Sequence, residues 1–276
     1  MGQTRPAPAE HGEPAGGPML SPGARPLAAI VVAACAGATA LLGIWLGHGA
    51  HTDPVDTAVD SGVRASLAGH RKLLELLARP GDLPAIAGIT AILVLACLLR
   101  RRYRGAALLA LSVPAAAVIT ERLLKPLVGR TALGFLSFPS GHATGTFALA
   151  TAITVLLAGT PALSRPVRLA TVVIAFAIAS VAAAAMIALG FHYFTDAIAG
   201  AAVGTGTVLA TALVIDLAVQ AWPRSGQRPP PAASAEDRQG RAGAEGSATR
   251  RANAAKAAGL ALSGRCSQTG IDEYLT

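Results

Sequence analysis

Six apolar stretches of near-membrane length dominate this chain and leave few folds open to it. They run over about residues 27–46, 83–99, 105–120, 143–157, 169–189 and 197–219. A hydrocarbon layer roughly 30 Å thick is crossed by about 20 helical residues, and nearly all the charge falls in the segments between the runs. Hydrophobic residues make up 53% of the 276 and charged ones only 14%, a balance that an ordinary soluble domain rarely shows. Aromatics are scarce at 4%, so alanine, valine, leucine and glycine must pack the helices by close backbone approach. The expected fold is all-α: a polytopic membrane helix bundle with about six transmembrane helices and disordered termini.

A net charge of +8 in a soluble protein would point to nucleic acid. Here the basic residues flank apolar spans, and orientation explains them better. The cluster "RRRYR" at 100–104 and the pair Arg165 and Arg168 sit in short loops, which places those loops in the cytoplasm. Six spans then leave both termini cytoplasmic and turn the loops after spans three and five outward. Membrane lipids are the expected partners; nucleic acid is not, and homo-oligomerisation is left open. Cys35, Cys97 and Cys266 show neither metal-ligand spacing nor an evident disulfide pair. The first span lacks a clear small-residue cleavage site and reads as an uncleaved helix.

Residues 1–25 and 222–276 carry no hydrophobic period and are rich in Pro, Gly and Ala, so both are expected to be disordered. The membrane domain is expected over 26–221. Within its first long loop Val63, Leu67, Leu74 and Leu77 recur at helical spacing. That pattern fits either an amphipathic helix lying on the membrane surface or a loop helix packed on the protein.

The two outward loops hold the unusual residues. "ERLLKPLVGRTALGFLSFPSGH" carries Lys125, Arg130, Ser140, Gly141 and His142, and "LGFHYFTDAIAG" carries His192 and Asp196. Taken singly, Lys125 and Arg130 fit interfacial anchors, His142 a hydrogen-bonded loop residue, and His192 with Asp196 a local ion pair at a helix start. As a set on one membrane face they fit a phosphate site. Lys125 and Arg130 supply charge, arginine in fork geometry. Gly141 allows close backbone approach, while Ser140 and the N–H groups opening the fourth span aim donors at an anion. Phosphoryl transfer also needs a nucleophile and a proton donor, roles that two histidines can divide. His192 and Asp196 share a helical face, so the carboxylate can either accept from one ring nitrogen or cap the helix. A zinc site from His142, His192 and Asp196 is disfavoured by the neighbouring cations; no metal or other cofactor is expected.

The segments "KPLVGR", "PSGH" and "HYFTD" resemble the three motifs of the type 2 phosphatidic acid phosphatase superfamily of membrane lipid phosphatases, related to vanadium haloperoxidases. The resemblance implies metal-independent hydrolysis of a lipid phosphate monoester or pyrophosphate, of phosphatidic acid, phosphatidylglycerophosphate or polyprenyl pyrophosphate type, through a phosphohistidine. His192 would be the nucleophile, Asp196 its orienting partner and His142 the general acid. Lys125, Arg130, Ser140 and Gly141 would hold the phosphate. Two of the motifs depart from the pattern. The first motif usually reads K-x6-R-P, which would put arginine at Ala132, and the third usually has Ser-Arg where Ala185 and Met186 stand. Those losses make a non-catalytic lipid-phosphate binding or transport protein of the same fold the alternative.

Overall fold

A computed structural model describes residues 18–47, 53–160 and 163–221. The helices are α1 (Ala24–Leu46), α2 (Pro54–Ser66), α3 (Arg71–Ala78), α4 (Leu83–Leu99), α5 (Tyr103–Val118), α6 (Lys125–Val128), α7 (Gly141–Ala158), α8 (Arg165–Ala188) and α9 (Phe194–Ala221). A π-helical segment, Ile119–Leu124, joins α5 to α6, so the rod runs on to Val128, eight residues beyond the end expected from hydropathy. Five of these rods are long and apolar enough to cross a membrane, and α3 with α4 passes the same test only when the pair, bent by 42°, is counted as one span. The chain is a multi-pass membrane protein built of helices.

Burial follows the lipid rule rather than the aqueous one. Leu41, Ile44, Ile92, Ile174 and Val214 face outward, whereas alanine, glycine and threonine are frequent between the helices, beside buried aliphatics such as Leu108, Leu109 and Val208. Gly200 and Gly204 of α9 show the reason most clearly. A Cβ at either position would overlap a backbone oxygen of α7, Ser140 O and Thr144 O respectively. This small-xxx-small spacing lets two helices pack backbone to backbone, where dispersion substitutes for the hydrophobic force that lipid cannot supply. It also ties the start of α7 to the start of α9: the Ser140 N–H donates to the Asp196 carbonyl at 3.0 Å.

The two ends of the bundle differ chemically. At one, Arg102 donates to Leu156 O and Gly159 O at 3.3 and 3.0 Å, satisfying carbonyls that the end of α7 leaves open, and to Thr160 Oγ1 at 2.7 Å. There also Asp216 of α9 accepts from the Met19 and Leu20 N–H groups at 2.8 and 3.0 Å. Residues 18–25, expected in the disordered segment, are therefore held: Leu20 is buried in the core and α1 starts at Ala24. Residues 1–17 and 222–276, expected to be disordered, lie outside the described residues.

At the opposite end the starts of α4, α7 and α9 meet the ends of α6 and α8. The loop helices cover this end, packed on the protein. Asp53 caps α2, accepting from the Val55 N–H at 2.8 Å with Pro54 at the first helical position. Gly69, with φ +83°, breaks the amphipathic stretch into α2 and α3. Leu74 of α3 then packs on Ala185 and Met186 of α8.

Candidate active site

A short hairpin prepares the site. Gly129 ends α6 in the left-handed conformation with φ +67°, and Thr131–Ala132 pairs antiparallel with Phe135–Leu136. The turn residues Leu133 and Gly134 both have positive φ, 49° and 79°, the combination that matches a two-residue turn to strand twist. Ser137 N–H donates back to Arg130 O at 2.9 Å. The hairpin thereby presents the Ser137 carbonyl to His192, whose Nδ1 lies 2.9 Å away. Because a carbonyl oxygen only accepts, Nδ1 carries a proton, and in the neutral ring the lone pair is on Nε2.

His192 and His142 line one cavity of about 610 Å³, together with Lys125, Gly141, Glu121, Thr120, Met186 and Ala132. A larger cavity of about 1010 Å³ opens between α1, α6 and α9, but Cys35 is the only ionisable side chain lining it. The chemistry of the chain therefore lies in the smaller one. His142 enters at the first turn of α7, with its ring against Gly81 and its Nε2 3.1 Å from Asp82 Oδ1. Lys125 Nζ contacts both oxygens of Glu121, at 2.8 Å to Oε1 and 2.9 Å to Oε2.

Three expected roles are corrected by the geometry. Arg130, expected to hold phosphate, does not line the cavity. Its guanidinium is wholly buried, 2.6 Å from Asp56 Oδ2, 2.7 Å from Asp196 Oδ1 and stacked over Tyr193 at 4.2 Å. A guanidinium shared by two buried carboxylates is engaged as a structural counter-ion. Ser140 is buried, and its hydroxyl accepts from the Ala143 N–H at 3.4 Å as the cap of α7. It does not line the cavity. Asp196 stands 3.7 Å from His192 Nδ1, and its Oδ2 accepts from the Tyr193 N–H at 3.0 Å. The Ser137 carbonyl, rather than Asp196, is the direct partner of the imidazole.

The sequence reading missed four residues. Asp56, wholly buried, accepts from the Thr195 N–H and hydroxyl, both at 2.8 Å, as well as from Arg130. Asp60, one turn on, accepts from the Phe194 N–H at 3.1 Å. These two carboxylates of α2 satisfy the open N–H groups at the start of α9, where the helix dipole favours negative charge. Burial, then the neighbouring Asp56, push Asp60 up to about 6, against the opposing pull of Arg64. The i, i+4, i+8 stripe of Asp56, Asp60 and Arg64 was the available signal. Asp82 and Glu121 had none beyond lying near a span end.

Residues 119–219 match the family model described as the PAP2 superfamily. No curated protein matches the chain in sequence. Among solved structures, the chain is similar to a transmembrane PAP2-type phosphatidylglycerolphosphate phosphatase from Bacillus subtilis. Identity is 18% and the TM-score 0.55, over 65% of this chain and 93% of that one. The matched stretch holds His142, His192, Lys125 and Asp196, and the helices around it share the fold of that transmembrane PAP2-type protein.

Proposed function

We propose that the protein is a membrane lipid phosphatase that hydrolyses a lipid phosphate monoester or pyrophosphate through a phosphohistidine at His192. The observation that carries this is the placing of two imidazoles on one cavity, with His192 Nδ1 bound at 2.9 Å to a carbonyl and Nε2 left as a nucleophile. Nε2 attacks phosphorus as the bond from phosphorus to the leaving oxygen breaks, and His142 gives that oxygen its proton. Water then attacks the phosphohistidine, the P–N bond breaks, and inorganic phosphate leaves. Lys125 and the N–H groups opening α7 hold the phosphoryl oxygens. Asp82 fixes the His142 ring. By the positive-inside bias the end bearing Arg102 faces the cytoplasm and the cavity opens on the other side.

Purified protein in detergent is expected to release phosphate from phosphatidic acid, phosphatidylglycerophosphate or a polyprenyl pyrophosphate, with and without a chelator, and His192→Ala to release none. Equal release by the variant rejects His192 as nucleophile; loss of release in chelator rejects the metal-free step.

A second reading, lipid-phosphate binding without turnover, is favoured by Ala132 and Met186. Both line the cavity where the superfamily pattern carries arginine. Each missing charge-assisted contact is worth about 1.5–3 kcal/mol. Saturable binding with no release across the lipid panel selects this reading.

A further inference from the structure

The cavity wall presents a carboxylate beside Lys125. Glu121 lies one helical turn before Lys125 and engages its ammonium with both oxygens. The same Oε1 rests on Gly141, where an added Cβ would meet it at 2.7 Å, so the carboxylate also lies against the start of α7. Among the described residues Lys125 is the only lysine or arginine lining the cavity; Ala132 and Met186, which also line it, bring no charge. Behind His142 stands a second carboxylate, Asp82, at 3.1 Å. Glu121 therefore neutralises the ammonium of Lys125, and a purely anionic head must approach its carboxylate against like charge. The Glu121 side chain is half exposed at 49% and accessible to a ligand.

We infer that Glu121 is a specificity determinant, selecting lipid phosphates that carry their own ammonium group close to phosphorus. The phosphate takes Lys125 and the N–H groups of α7, while the ligand's ammonium takes the Glu121 carboxylate. An attractive element for one substrate class and a repulsive one for the other then sit in a single side chain. This inference rests on the proposed phosphatase reading and narrows its substrate class.

The test compares sphingosine 1-phosphate with its N-acetyl derivative, which keeps the phosphate and chain but removes the ammonium charge. For the full-length protein in detergent, kcat/KM is expected to favour the free amine by about tenfold, the equivalent of one modest charge contact. Glu121→Gln and Glu121→Ala are expected to bring the ratio close to one. A wild-type ratio near one overturns the inference without any variant, and so does an unchanged ratio in a variant that elutes and melts as wild type. An equal gain for both lipids in the variants shows Glu121 to be a plain competitor for Lys125 and also overturns it. If the wild type releases phosphate from neither lipid, nor from phosphatidic acid, phosphatidylglycerophosphate or a polyprenyl pyrophosphate, the phosphatase reading fails on its own. The ratio of Kd values for the same two lipids, judged by the same criterion, then decides the role of Glu121.

Discussion

His192 Nδ1 lies 2.9 Å from the Ser137 carbonyl oxygen, closer than the 3.7 Å that separates it from Asp196 Oδ2. The imidazole thus takes its tautomer from the backbone of the hairpin. Asp196 spends its oxygens on Arg130 and on the Tyr193 N–H, so it supports the turn that carries His192.

Asp196→Asn should consequently act more on stability than on the tautomer. Its kcat is expected to fall far less than that of His192→Ala, while its melting temperature drops. A loss of turnover equal to that of His192→Ala, in a protein that melts as wild type, would restore Asp196 as the direct partner of the ring.

Arg130 answers two buried carboxylates. Arg130→Met is expected to destabilise the protein by about 3–5 kcal/mol, the usual cost of leaving a buried charge without its partner. Unfolding in mixed micelles measures this. Unchanged stability together with weakened phosphate binding would return Arg130 to the phosphate site.

Asp82 orients the general acid. Asp82→Ala is expected to lower kcat by about tenfold, part of the 10²–10⁴ that a positioned acid contributes, and to leave KM nearly unchanged. A rise in KM with kcat intact would instead make Asp82 a substrate-binding group.

Asp60 supplies a pH signature. Its folded value of about 6 stands above the ordinary 3.8, so the folded state holds this proton more tightly than the unfolded one. The stabilisation is complete below about 4 and is lost as pH rises through about 6. Asp60→Asn keeps an acceptor for the Phe194 N–H and removes the titration. The stability difference between wild type and Asp60→Asn should therefore change between pH 4 and 7, in favour of wild type at the acid end. A difference independent of pH contradicts the shifted value.

The helices were legible because lipid leaves the backbone one way to satisfy itself, and a run such as 169–189 announces that directly. His142 and His192 were legible for a related reason: ionisable residues at span ends on one face need a partner or a task. Arg130 was misread because its spacing from Lys125 says nothing of the aspartates that meet it from α2, 74 residues away in sequence. The hairpin was hidden as well, since Leu133 occupies a left-handed position that sequence signals reserve for Asn or Gly. Asp56 and Asp60 went unnoticed because nothing in the sequence says that α2 lies over the start of α9.

The most direct test of the phosphohistidine is to trap it. Wild-type protein turning over a lipid labelled with radioactive phosphorus is quenched in alkali, where a phosphorus–nitrogen bond survives, and the labelled peptide is identified. Label on His192, absent from His192→Ala, is the expected result. Label on His142, or steady phosphate release with no labelled protein at any time point, would show that the attack on phosphorus comes from another group.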